Sequence, residues 1–300
     1  MSKPKVSLGS WAFSFGPFEK NPWSFTAVAQ YASKNGYDGI EINGCHPHPD
    51  PDKYNTSQKC NELVGMLKDL GLGISGYVAN FSGLTPSLCE RSEYLEVLKK
   101  NLFFCEQCDI KLLRVDTGSP PEEKSPEEYK RQFDKLVVNW KAAAEQAKRS
   151  GVKLVWEFEP SVWLNKPSEV KLLHDQIDND HFKVLFDTSH AYMGSVVGSR
   201  HTGKIEILPG GINEYAQMLL ECIGHIHLID SNGQLYENAT SIHESFGNGL
   251  IDFNSVMKVL SPVVSKLDWV CVDFCFNPDT PIVAKAASRF VKKLLNQVCI

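Results

Sequence analysis

Short runs of β-branched and apolar residues alternate along the chain with longer stretches whose apolar positions recur every three to four residues. The short runs predict strands at Val6–Ser10, Gly39–Ile42, Gly73–Tyr77, Lys111–Asp116, Lys153–Glu159, Lys183–Asp187, Gly224–Ile229 and Trp269–Phe274. The longer stretches predict helices at Trp23–Asn35, Ser57–Leu70, Tyr94–Cys108, Pro126–Ser150, Ser168–Gln176, Gly211–Glu221, Asp252–Leu260 and Ile282–Leu295. Strands separated by helices imply a parallel sheet. Eight such units in 300 residues fit a closed (β/α)8 barrel, an α/β fold, spanning residues 1–300 as a single domain. No Gly-x-Gly-x-x-Gly follows the first strand, which argues against an open dinucleotide-binding sheet.

Punctuation agrees with this reading. Asn35-Gly36, Leu70-Gly71 and Ser150-Gly151 each end a helical run on glycine. Ser125-Pro126-Glu127-Glu128 opens one with a capping serine, a first-turn proline and acids that suit the helix dipole. Two connections that follow strands are long, 43–56 and 191–209. In a barrel, such loops build the active face.

Polar residues at strand ends then change the picture from fold to chemistry. The fifth strand ends Trp156-Glu157-Phe158-Glu159, and the sixth Phe186-Asp187-Thr188-Ser189-His190. The seventh carries His225-Ile226-His227 and the eighth Val272-Asp273. Strand ends of a barrel converge on one axis, so these groups meet. Converging carboxylates repel, and buried charge is costly unless paired or metal-bound. A divalent cation on Glu157, Asp187, His227 and Asp273 resolves the conflict. Three carboxylates and one imidazole suit manganese first, with cobalt, magnesium or zinc as alternatives.

Composition limits the partners. The net charge is -5 and no basic stripe appears, which excludes a large nucleic-acid footprint. No apolar run is long enough to span a bilayer, so a cytoplasmic protein is expected. Nine scattered cysteines read as reduced thiols, Cys105-Glu-Gln-Cys108 included, since it lies in a helical pattern without a second pair. Trp11, Phe13, Trp156 and Trp163 are either sugar-stacking walls or core.

Tyr37-Asp38-Gly39-Ile40-Glu41, Glu157-Phe158-Glu159-Pro160, Asp187-Thr188-Ser189-His190, His225-Ile226-His227-Leu228-Ile229-Asp230 and Gly247-Asn248-Gly249 resemble motifs of the xylose isomerase-like barrels. That group includes sugar phosphate isomerases and epimerases, D-tagatose 3-epimerase, inosose isomerases and dehydratases, and endonuclease IV. The likeness covers nearly the whole chain. It implies the same four metal ligands. It also implies His190 beside the substrate as an acid/base group and His243 near the metal. Glu41, His46 and His48 fall on the opposite wall. His46, His48, Trp11, Glu159 and His243 are the candidate substrate contacts. Ketose epimerases of the group usually carry glutamate at the Asp273 position, and they follow the His-x-His strand with Glu and Arg where this chain has Asp230-Ser231-Asn232.

The resemblance therefore implies an enzyme that takes a proton alpha to a carbonyl. It would act as an isomerase or epimerase on a keto sugar or keto-inositol through a metal-stabilised ene-diolate, with Glu157 and Asp273 or His190 as the proton-handling groups. The alternative is a lyase that eliminates a leaving group from a keto sugar or glycoside, with a small second subunit. A non-catalytic metal- or sugar-binding barrel is the third. Self-association is expected in each case.

Overall fold

The computed structural model describes residues 3–81 and 83–298. Strands β1 (Lys5–Gly9), β2 (Gly39–Asn43), β3 (Gly73–Val78), β4 (Leu112–Val115), β5 (Lys153–Glu157), β6 (Phe182–Asp187), β7 (Ile223–Leu228) and β10 (Trp269–Val272) close into one parallel barrel, in the order β1-β10-β7-β6-β5-β4-β3-β2. Each strand expected from the sequence is present, with ends shifted by one or two residues. The helices are α1 (Phe25–Lys34), α2 (Ser57–Asp69), α3 (Arg91–Gln107), α4 (Pro126–Arg149), α5 (Pro167–Ile177), α6 (Thr188–Tyr192), α7 (Gly211–Leu219), α8 (Phe253–Val264) and α9 (Thr280–Val298).

Local chemistry explains the boundaries. Ser125 Oγ accepts the Glu128 N–H at 3.2 Å and caps α4. Gly36, Gly71 and Gly151 take φ of 76°, 72° and 65°, the left-handed turn that stops α1, α2 and α4. Outward strand residues such as Trp156 pack on helices, where Trp140 of α4 lies between Trp156 and Phe182. Phe13, Trp156 and Trp163 are thus core.

Period-two alternation places Lys153, Val155 and Glu157 on the inner face of β5, and Lys183, Leu185 and Asp187 on that of β6. The lumen is layered accordingly, with acids at the carboxyl end, apolar residues in the middle and lysines at the amino end. Asp187 sits beside His227 in the β6–β7 register.

Two features depart from the expected pattern. Part of the 191–209 connection is helical, as α6 followed by a wide turn over Met193–Val197. A hairpin, β8 (Asp230–Tyr236) with antiparallel β9 (Thr240–Glu244), leaves β7 and folds over the carboxyl end of the barrel. The described cysteines are all free, and Cys105 and Cys108 are buried; Cys299 lies outside the described residues. No described helix is long and apolar enough to cross a membrane.

Candidate metal centre and substrate cavity

Glu157, Asp187, His227 and Asp273 bring one donor atom each to within 4.8 Å of one another, all buried. Each arrives from the end of a different strand. His227 Nδ1 lies 3.0 Å from Glu157 Oε1 and 3.5 Å from Asp273 Oδ2. Glu157 Oε1, Asp187 Oδ2 and His227 Nδ1 are buried without a hydrogen bond, and Glu157 Oε2 meets the Arg114 guanidinium. Their other atoms are fixed from behind. Asp187 Oδ1 accepts the His190 N–H at 2.8 Å, capping α6. Asp273 Oδ1 accepts Trp11 Nε1–H and the Cys275 N–H, each at 2.8 Å. His227 Nε2 meets Glu41 Oε1 at 3.1 Å, which directs its Nδ1 lone pair at the cluster. Three oxygen donors and one nitrogen converge here, with Glu157, Asp187 and His227 each presenting an orphaned atom, and the set fits one divalent cation.

The charges tell the same story. Burial raises the Asp187 carboxyl from an ordinary 3.8 to about 7, and neighbouring Glu157 and Asp273 add to this against the pull of His243. Burial alone would raise Glu157 also, but the Arg114 guanidinium and His227 hold it low. Glu41 is held far below the usual range because His227 and His225 overcome its burial. Those carboxylates in turn outweigh burial and push His227 up. The upward shifts of Asp187 and His227 both mark a cluster with excess negative charge, which a divalent cation would offset.

A cavity of about 450 Å³ opens above the cluster, with Glu157, Asp273, His190 and His243 in its wall. His190 Nδ1 pairs with Ser241 Oγ at 2.7 Å, and His243 Nδ1 with Asp273 Oδ1 at 3.1 Å. Burial lowers His190 to about 3, so its ring is neutral. Burial would lower His243 too, but Asp273 lifts it to about 9. Trp11 also borders the cavity, stacked on His227 at 5.4 Å between ring centres. Glu159 is in the wall, accepting from Thr240 Oγ1 at 2.8 Å.

The structure does not bring His46 and His48 to this cavity. His46 is exposed and borders a separate pocket with Asp50. His48 is buried, with Nδ1 on Ser10 Oγ at 3.0 Å and Nε2 on the Trp23 carbonyl at 3.1 Å, so both ring nitrogens are used internally. Glu41 lies beneath the cluster rather than on a far wall, since His225 Nε2 and His227 Nε2 both contact it.

Arg114 was not among the residues singled out from the sequence. Its Nη1 lies 2.5 Å from Glu157 Oε2 and its Nη2 3.4 Å from Glu159 Oε1. The signal was available, because Arg114 holds the same alternate, strand-end position in Leu112-Leu113-Arg114-Val115 that marked Glu157.

Asp230, the last residue of the His-x-His-Leu-x-Asp motif, anchors a loop. Its carboxylate accepts the N–H groups of Ser231, Gly247, Gly249 and Ile251 at 2.9–3.1 Å. A Cβ on Gly249 would collide with that carboxylate, which accounts for the second glycine of Gly247-Asn248-Gly249. Asp230→Ala unpairs these N–H groups and is expected to cost about 3 kcal/mol. Thermal unfolding should then show Tm lower by roughly 5–10 °C; an unchanged Tm would refute this anchoring role.

Known structures share the architecture. A D-tagatose 3-epimerase-like protein superposes with TM-score 0.70 at 19% identity, covering 98% of both chains. The 3-keto-D-glucoside 4-epimerase from E. coli gives 0.68 at 16%, covering 98% of this chain and 100% of its own. The IolI protein with a bound zinc atom gives 0.66 at 16%, covering 98% of both. No curated protein matches the chain at the sequence level. Residues 29–291 match the family model for the xylose isomerase-like TIM barrel, and the chain belongs to that family.

Proposed function

We propose that this protein is a metal-dependent isomerase or epimerase that takes a proton from the carbon next to the carbonyl of a keto sugar or keto-inositol. The observation that carries the reading is the convergence of buried donors from Glu157, Asp187, His227 and Asp273, orphaned on the first three, beside a cavity that Glu157 and Asp273 line. The cavity's volume suits one monosaccharide-sized molecule. The epimerase likenesses and the zinc-bound IolI likeness support the same class.

Those four residues would hold the cation, manganese being the first choice for this donor set. Bound there, it would supply electrophilic polarisation of the substrate carbonyl. Glu157 is the base: its Oε1 faces the centre, and Arg114 on Oε2 keeps it anionic. Asp187 and Asp273 are held as ligands by the capping of α6 and by Trp11. His243 of β9 stands at the cavity wall, 5.1 Å from the neutral ring of His190 of α6, and carries the proton to be returned.

One observation favours elimination as a second reading. Asp273 Oδ1 is saturated by three donors, which leaves it poorly placed as a second base, while His243 carries a proton beside it. A histidine acid could discharge a leaving group. Product analysis separates the two: exchange of the alpha proton without loss of a group supports isomerisation, and release of a group with exchange supports a lyase.

Cation binding should be pH-dependent in a stated direction. Asp187 and His243 both have folded pKa values above their ordinary ones, so their stabilising protonation is complete below the ordinary values. It is lost as pH rises through about 7 and about 9 respectively. The metal-free protein should therefore lose stability as pH rises above about 5, and a cation should restore it. Added manganese should raise Tm more at pH 8 than at pH 6; an equal rise, or none, contradicts the ligand set.

A further inference from the structure

The amino-terminal mouth of the barrel contains a second cavity, of about 650 Å³, remote from the carboxyl-end centre. Lys68, Lys111, Lys153 and Lys266 line it, against only Asp109 and Asp268. Asp109 is already paired with Lys111 at 2.6 Å. The ammonium groups of Lys68, Lys153 and Lys266 have no partner among the described residues. On a chain of net charge -5, this is a local excess of positive charge inside a concave site. Its floor is His225, 1% exposed, whose Nδ1 makes no hydrogen bond. Trp269 presents an apolar wall beside it.

We propose that this cavity binds a small phosphate-bearing molecule. The unpaired lysines meet the phosphate, and His225 Nδ1 meets a hydroxyl or a phosphate oxygen. The volume matches a small metabolite. The floor also gives an occupant a route to the opposite end. His225 Nε2 holds Glu41 Oε2 at 2.7 Å, and Glu41 in turn orients His227.

Inorganic phosphate, titrated into the full-length protein at low ionic strength and followed by calorimetry, tests the site. Saturable binding of one phosphate per chain is expected. Lys153→Glu with Lys266→Glu should weaken it by at least about tenfold at low ionic strength, since two charges lining the site are reversed. The gentler Lys153→Gln with Lys266→Gln should weaken it less, and covers a folding failure of the first variant. Asp187→Asn, at the other end of the lumen, should leave phosphate affinity unchanged. Absence of saturable binding overturns the proposal. So does binding that survives both lysine variants, or that is lost in Asp187→Asn instead.

Discussion

Glu157→Gln is expected to lower alpha-proton exchange by about 10²–10⁴-fold, the range a positioned general base contributes. The amide is nearly isosteric, so the cavity should persist, but it leaves Arg114 with only Glu159 as an anionic partner, so Tm should fall. What changes is charge: Oε1, 3.0 Å from His227 Nδ1, no longer accepts a proton, and one anionic donor leaves the cluster. Metal affinity should weaken as well, so the assay is run at saturating manganese. Exchange within about tenfold of the parent under those conditions would remove Glu157 from the role of base.

Arg114→Met should have the second-largest effect, on stability and activity together. Arg114 is nearly buried, with Glu157 at 2.5 Å and Glu159 at 3.4 Å. Removing one partner of a buried pair leaves an uncompensated charge, at a cost of about 3–5 kcal/mol. Burial then dominates Glu157, and its carboxyl rises toward and beyond the ordinary range. The base is active only when ionised, so the acidic limb of the rate–pH profile should move to higher pH. The double variant Arg114→Met with Glu157→Gln removes both charges and should be more stable than Arg114→Met alone. A double variant that is less stable, or an unmoved acidic limb, would mean that the pair does not govern Glu157.

The acids at the strand ends were legible in the sequence for a physical reason. Side chains alternate along a strand, and barrel strands share one axis, so Glu157, Asp187, His227 and Asp273 had to converge once eight strands were counted. The hairpin over the site was not legible. Ser231, Thr240, Ser241 and His243 are buried there by polar contacts with the site rather than by an apolar face, so no strand-like alternation marks them. Helix α6 is too short to show a period and exists because Asp187 caps it. The wall assigned to His46 and His48 depended on how the 43–56 loop turns. Internal bonds to Ser10 and Trp23 settle His48 away from the cavity, and such pairings have no sequence signature. Arg114 obeyed the same alternation as Glu157, yet a cation at a strand end does not suggest a metal ligand.

The central claim is that a metal held by these strand ends lets Glu157 take a proton alpha to a carbonyl. Deuterium incorporation from heavy water into candidate keto sugars and keto-inositols, with and without manganese, tests it most directly. The account predicts incorporation at the carbon next to the carbonyl that requires the cation, stops after chelation, and is lost in Glu157→Gln. Incorporation that is indifferent to chelation or undiminished in Glu157→Gln, or no incorporation into any such substrate by the metal-loaded protein, would contradict it.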